Sequence, residues 1–267
     1  MNRNKRLDIN EIRNYQLEML SYIDKVCRKN NIKYSLAYGS MLGAVRHQGF
    51  IPWDDDVDIM LSPQEYFGLI EILKADDKFR VLTPESKNYA LCYSKLIHPD
   101  TYAICDDGYK HNEINGVFID IFPLWPLKNI EEELQALKKY EKKAFVANEK
   151  GILAFVQSQG IIKSISRIPW VLYCKAVGKK FWSKKIVDFL RNNMNVCTYY
   201  GLIPWEEKYC MDKLFFEEVE DVRFDKLTLM IYKEYDEILT NRYGEYMKLP
   251  PEEERHFPHT TEVMYRK

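Results

Sequence analysis

The sequence lacks most of the features that assign a chain to a special class at first sight. Its six cysteines (Cys27, Cys92, Cys105, Cys174, Cys197, Cys210) form no C-x-x-C pair, and none lies in tight spacing to a histidine. That excludes a zinc knuckle and a disulfide framework, and a reduced cytoplasmic setting is expected. No uncharged apolar run approaches the roughly 20 residues that span a bilayer. The opening stretch "MNRNKRLDINEIRN" lacks the apolar core of a signal peptide. The expectation is a cytoplasmic protein, soluble or peripheral at the inner face of the membrane. Charge of one sign is not in excess either: 39 Lys and Arg stand against 40 Asp and Glu, a net charge of -1. No broad attraction to nucleic acid follows, so charge-driven binding must come from local patches. Internal repeats and low-complexity linkers are also missing.

What remains is a chain of 267 residues, 46% hydrophobic and 30% charged, long enough for one large domain or two small ones. Residues 8–30 place Ile12, Leu17, Leu20, Ile23 and Val26 at helical spacing, ending at Asn30-Asn31. A strand is expected at 33–38, leading into a Gly39-Ser40 turn and a short helix beginning just after it. A second strand, "VDIML" (57–61), precedes the capping box "SPQE" (62–65), which opens a helix to about Lys74. Strands are expected at 79–82, 89–97, 101–105 and 116–124. Residues 129–200 read as almost continuously helical, and the late stretch from Tyr232 as one more helix ended by Gly244. The fold class is therefore α/β (α+β), a mixed sheet core with a mostly helical C-terminal half. We divide it at 1–127 and 128–267, the second region packing on the core and completing the substrate site.

The stretch "YGSMLGAVRHQGFIPWDDDVDIML" (38–61) carries the chemistry. Asp54, Asp55, Asp56 and Asp58 crowd against an apolar run, and such charges repel unless something positive sits among them. With Asp56 and Asp58 on a strand, their side chains share one face while Val57 and Ile59 turn to the core. A hard cation such as Mg²⁺, held by one or two carboxylates plus substrate phosphates, would relieve the repulsion. The plainer alternatives are a solvated acidic turn or a loose Ca²⁺ loop, although the glycine and glutamate of an EF-hand do not follow. Gly39-Ser40, between strand and helix, would offer backbone N–H groups and a hydroxyl to a phosphate; otherwise it is only a turn. Asp120 is the one charge in the apolar run "GVFIDIFPL". It is either a polar strand end or a third carboxylate facing the same site, and convergent carboxylates of this kind serve two-metal phosphoryl transfer.

A Gly-Ser turn, a D-x-D strand and a later strand carboxylate form the pattern of the nucleotidyltransferase superfamily. The longer string "YGSMLGAVRHQGFIPWDDDVDI", with "VFIDIFPL" and "YDEILTNRYGEYMKLPP", closely resembles the LicD family of phosphocholine transferases, whose relatives include fukutin and the fukutin-related protein. The likeness covers roughly residues 8–260 and is weakest in 129–200. It implies an enzyme moving a phospho-alcohol, most simply phosphocholine, from a CDP-activated donor such as CDP-choline. The acceptor would be a hydroxyl of a cell-surface glycan (lipopolysaccharide or teichoic acid) or its lipid-linked precursor, with CMP released and no role for nucleic acid. By the same resemblance Asp56 and Asp58 would ligate Mg²⁺ (Mn²⁺ as the alternative), and Asp120 would complete the metal site or act as base. Gly39 and Ser40 would contact the donor phosphates, and Asp54 belongs to the matching acidic cluster.

Arg46 is a bidentate candidate for a diphosphate oxygen, or else a surface arginine paired with a nearby aspartate. His47 reads as a structural hydrogen-bonder. Lys95 either neutralises phosphate or is a solvated strand lysine. Residues 161–185, "IIKSISRIPWVLYCKAVGKKFWSKK", mix basic and aromatic residues with no acid. They suit a peripheral membrane contact, or a helix packed on the catalytic domain with solvated lysines, and Pro169 suggests a break between two helices. Two other functions stay open at this point. One is a nucleotidyltransferase that releases pyrophosphate, and the other is a non-catalytic metal- or membrane-binding module.

Overall fold

The computed structural model describes residues 5–105, 116–148, 161–203, 206–255 and 262–266. A short strand β1 (Lys5–Arg6) precedes helix α1 (Ile9–Lys29). Local chemistry sets its start: Glu11 N–H donates to the Asp8 carboxylate, and the Glu11 carboxylate accepts from Asp8 N–H. Leu17, Met19, Leu20 and Ile23 are at most 4% exposed, and each large apolar side chain so buried contributes roughly 1.5–3 kcal/mol.

Next come β2 (Ser35–Leu36), α2 (Tyr38–His47), β3 (Asp58–Leu61) and α3 (Pro63–Asp76). Helix α3 starts as its sequence suggests, with Ser62 accepting from Glu65 N–H and Pro63 in the first turn. Helix α2 starts earlier than expected, so Gly39 and Ser40 lie inside its first turn and not in a turn before it. Two hydrogen bonds to Asp58 fix this start: Ala37 N–H donates to the Asp58 carbonyl, and Asp58 N–H donates to Ser40 Oγ, both at 2.9 Å. Strand β3 likewise begins at Asp58, leaving Asp56 in the segment just before it.

Strands β4 (Arg80–Leu82), β5 (Ser94–Ile97), β6 (Thr101–Cys105), β7 (Phe118–Pro123) and β8 (Trp125–Leu127) complete the first half. β5 is shorter than the expected 89–97, because Tyr89 N–H closes a turn on the Ser86 carbonyl. The central sheet has the order β2-β3-β7-β5-β4. Only β3 and β7 run parallel; the other neighbours are antiparallel.

The second half contains helices α4 (Ile130–Asn148), α5 (Ile161–Val177) and α6 (Lys179–Asn193). Residues 149–160, within the stretch expected to be helical, lie outside the described residues. Pro169 sits inside α5, and the break comes instead at Gly178, whose φ of 86° suits glycine alone. Strand β9 (Tyr199–Gly201) overlaps the end of the stretch expected to be helical, and β10 (Cys210–Asp212) and the hairpin β11 (Val219–Phe224) with β12 (Leu227–Tyr232) follow where no element was expected before Tyr232. Helix α7 (Tyr235–Tyr243) ends at Gly244 as expected, and β13 (Glu262–Arg266) pairs with β1 and β6. The main core draws on both halves, joining Leu20, Ile59 and Ile121 to Phe224, Ile231 and Leu239. A satellite core packs α4 and α6 onto β8 through Trp125, Leu137, Trp182 and Leu190. Among the described residues no helix is long and apolar enough to cross a membrane.

Candidate active site

The centre of the sheet assembles the site. Val57 and Ile59 are fully buried on the core side of β3, which turns Asp58 to the opposite face. Asp58 stands directly across from Asp120 in the parallel β3–β7 pair, and Asp120 stands across from Lys95 in the antiparallel β7–β5 pair. Residues opposite one another on adjacent strands share a face, so three charged side chains form one row across three strands. All three are buried: Asp58 is 8% exposed, Asp120 6% and Lys95 9%. Lys95 Nζ pairs with Asp120 Oδ1 at 3.2 Å and lies 3.3 Å from the centroid of the Phe118 ring.

The acidic segment before β3 is held over this row from behind. Arg13 on α1 donates to the carbonyls of Ile51 (2.8 Å), Pro52 (3.1 Å) and Asp54 (2.9 Å). Gln16 donates to the Asp55 carbonyl at 2.9 Å. Neither residue stood out in the sequence, where the only hint was a glutamine on an otherwise apolar helical stripe. Asp54 is brought against the start of α2: a Cβ on Gly39 would meet Asp54 Oδ2 at 2.6 Å. Gly39 therefore serves close packing of a carboxylate as well as the opening of α2, which has no side-chain cap.

The electrostatics record the crowding. Burial, then the charge of Asp56 and a hydrogen bond with it, push the Asp54 carboxyl up to about 7. Burial, then Asp56, Asp120 and Asp54, push Asp58 well above the ordinary carboxylate range, with Lys95 opposing. One lysine thus faces four carboxylates, and added positive charge would lower the energy of the ionised cluster. Among the described residues no three His, Cys, Asp or Glu side chains form a ready cation cage. An all-oxygen donor set that is crowded yet incomplete fits Mg²⁺, which keeps waters and takes further oxygens from substrate phosphates.

The structure does not bring Arg46 to this row. Its guanidinium donates to the Tyr246 carbonyl (2.6 Å), the Lys248 carbonyl (3.4 Å) and His47 Nε2 (3.0 Å). It clamps the turn after α7, because the C-terminal end of α2 points away from the carboxylates. His47 accepts that bond and packs edge-on to Trp53 at 6.0 Å, a structural placement. Ser40 Oγ, already accepting from Asp58 N–H, keeps its own hydroxyl proton to donate. Tyrosines surround the row. Burial first, and then Asp58, raise the pKa of Tyr38, while burial with Asp120 does the same to Tyr89 and Tyr93.

Residues 31–159 match the family model described as LicD/FKTN/FKRP, nucleotidyltransferase domain. This segment is a LicD-family nucleotidyltransferase domain. It contains α2, β3, α3, β5 and β7, hence every residue of the charged row. Across 98% of this chain and 99% of the relative, the protein is 28% identical to the lipopolysaccharide cholinephosphotransferase LicD of Haemophilus influenzae. Over 42% of this chain and 21% of the relative, it is 26% identical to the human ribitol 5-phosphate transferase FKRP. A third relative, an uncharacterized protein of Rickettsia prowazekii, is 31% identical over 46% of this chain and 45% of its own length. The charged row thus lies in the matched segment, where the first half of the chain builds its sheet, while α7 and β11 pack against α2.

Proposed function

We propose that this protein transfers a phospho-alcohol, most simply phosphocholine, from a CDP-activated donor to a hydroxyl of a cell-surface glycan or its lipid-linked precursor, releasing CMP. The observation that carries the reading is the register of Asp58 with Asp120, flanked by Asp56 and Lys95 in a LicD-family domain. The near full-length relative named for cholinephosphate transfer supports the choice of cargo. Asp56, Asp58 and Asp120 would hold the cation, Mg²⁺ or Mn²⁺. When bound, it supplies charge neutralisation at the donor phosphates and at the departing CMP. The protein's own groups do the rest. The start of α2 and the Ser40 hydroxyl receive phosphate oxygens, and Lys95 offsets negative charge. The acceptor oxygen attacks the phosphorus bearing the alcohol, the phosphorus–oxygen bond to CMP breaks, and the acceptor proton passes to a carboxylate of the row, Asp120 in our assignment. Positioning and electrostatics then supply most of the rate, as in other phosphoryl transfers.

Incubation of the full chain with Mg²⁺, a glycan fraction and CDP-choline, CDP-ribitol or CDP-glycerol tests this reading. The expected result is CMP formed only when donor, acceptor and cation are all present. Pyrophosphate released from CTP, with no CMP from any CDP-alcohol, would replace transfer by nucleotidyl transfer.

The reading also gives a role to the outer face of α4–α6. Phe145, Leu172, Tyr173 and Phe181 are each at least 46% exposed there. Lys143 lies 5.7 Å from the Tyr173 ring and Lys185 5.6 Å from the Phe181 ring. Exposed apolar side chains beside lysines suit the surface of an anionic phospholipid bilayer, where a lipid-linked acceptor would be presented. Reversing the charge of Lys143 and Lys185 together is expected to weaken cosedimentation with phosphatidylglycerol vesicles by about tenfold or more. Equal sedimentation of wild type with anionic and neutral vesicles would remove this role.

A further inference from the structure

Arg242, on α7, is packed among three tyrosine rings, one of them the Tyr38 ring at the start of α2. Its guanidinium carbon lies 4.3 Å from the centroid of the Tyr209 ring and 5.9 Å from those of Tyr38 and Tyr243. Aromatic faces attract a guanidinium and hold its plane while leaving N–H groups at its edge for an acceptor.

Tyr38 and Tyr243 lie within electrostatic reach of both Asp58 and Arg242. Burial raises both hydroxyls, Asp58 raises them further, and Arg242 opposes the shift in each. Arg242 and Asp58 therefore act on the same two tyrosines from opposite charges. Tyr38 comes immediately before Gly39-Ser40 and holds φ at 45°, a left-handed conformation that a bulky residue adopts only when its surroundings hold it there. Its hydroxyl donates to the Leu202 carbonyl at 2.6 Å, which fixes the strained residue in place.

The helix that carries Arg242 is itself anchored on two sides, once from each half of the chain. Asn241 donates to the Lys208 carbonyl at 3.2 Å. Arg46, from the end of α2, donates to the Tyr246 carbonyl at 2.6 Å, and the Tyr246 hydroxyl bonds Asp236. Arg46, expected at the phosphates, instead positions the element that carries another arginine.

We propose that Arg242 binds the diphosphate of the nucleotide donor, its fork of N–H groups set across from the carboxylate row by Tyr38, Tyr209 and Tyr243. The proposal rests on the CDP-donor reading above. A planar guanidinium matches phosphate oxygens two at a time. A diphosphate entering beside four carboxylates needs a positive wall that Lys95, already paired with Asp120, does not by itself provide.

Titration calorimetry of the full chain in Mg²⁺ with cytidine, CMP and CDP tests it, comparing wild type with Arg242→Gln and Arg242→Lys. Wild type is expected to bind CDP more tightly than cytidine. Arg242→Gln should reduce that ratio by about tenfold or more, with cytidine affinity and melting temperature unchanged. Arg242→Lys should recover part of it, and decides the matter if the glutamine variant does not fold. An unchanged ratio overturns the proposal, and so does an equal fall for cytidine and CDP, which marks a structural role. If wild type binds no cytidine nucleotide, the CDP-donor reading itself fails, a result distinct from a failure of Arg242 alone.

Discussion

Asp58→Asn is expected to stabilise the cation-free protein and to abolish its activity. Asp58 is buried and meets the charges of Asp56, Asp120 and Asp54, with only Lys95 opposing. Asparagine keeps the shape and removes the charge. In EDTA the variant should melt higher than wild type, each kcal/mol gained being worth roughly 2–4 °C in a chain of this size. Its CMP release should fall by at least about 10²–10³-fold, the usual cost of removing one preorganised electrostatic group.

The pH dependence has a definite sign. A carboxyl whose native pKa lies above its unfolded value binds its proton more tightly when folded, so stability falls as pH rises between the two values. Asp54 is pushed up to about 7, which places the window from about pH 4 to about pH 7. Asp58 is shifted in the same direction. The melting advantage of Asp58→Asn over wild type should therefore widen from about pH 5 to about pH 7, and millimolar Mg²⁺ should shrink it. A variant that melts lower than wild type at neutral pH in EDTA would remove the crowded-carboxylate account of the site.

Lys95→Met is expected to have the opposite effect on stability. Lys95 and Asp120 form a pair with side chains 11% and 9% exposed. Removing one partner of a buried pair leaves the other charge without compensation, at a cost of about 3 kcal/mol or more. A loss of that size corresponds to a fall in melting temperature of roughly 6–12 °C. The loss should be greatest at neutral pH and shrink in acid, where Asp120 can take a proton and shed its charge. Urea denaturation at two pH values measures it, and a loss independent of pH would assign the effect to packing on Phe118 instead. The two substitutions change the same row of charges in opposite directions, so their opposite signs test the row as a unit.

The position of the site was legible in the sequence to the extent that its cause is local. Asp58 and Asp120 could be picked out because each interrupts an apolar strand, and a buried strand does not carry a carboxylate without reason. The ends of α1 and α3 were legible for a similar reason. Asp8 with Glu11, and Ser62 with Glu65, bond their own helix three residues on, and no distant partner is needed.

Everything that depended on a distant partner had to wait for the fold. Gly39 and Ser40 entered the first turn of α2 because Asp58, 18 residues along for Ser40, ties down the start of the helix. Arg46 was drawn to the Tyr246 carbonyl, 200 residues away. Strands β9 and β10 span three residues each, too few to show a period of two, and exist because β8 offers an edge to β9 and β9 offers one to β10. Arg242 came beside Tyr38 and Tyr209 through the packing of α7, and although the string around it carries part of the family likeness, these partners lie 33 or more residues away. The sequence by itself determined which chemistry is present, since that is written in residue type and short spacing. Tertiary structure decided which charges meet, because register and helix packing turn separations of tens to hundreds of residues into contacts of a few ångströms.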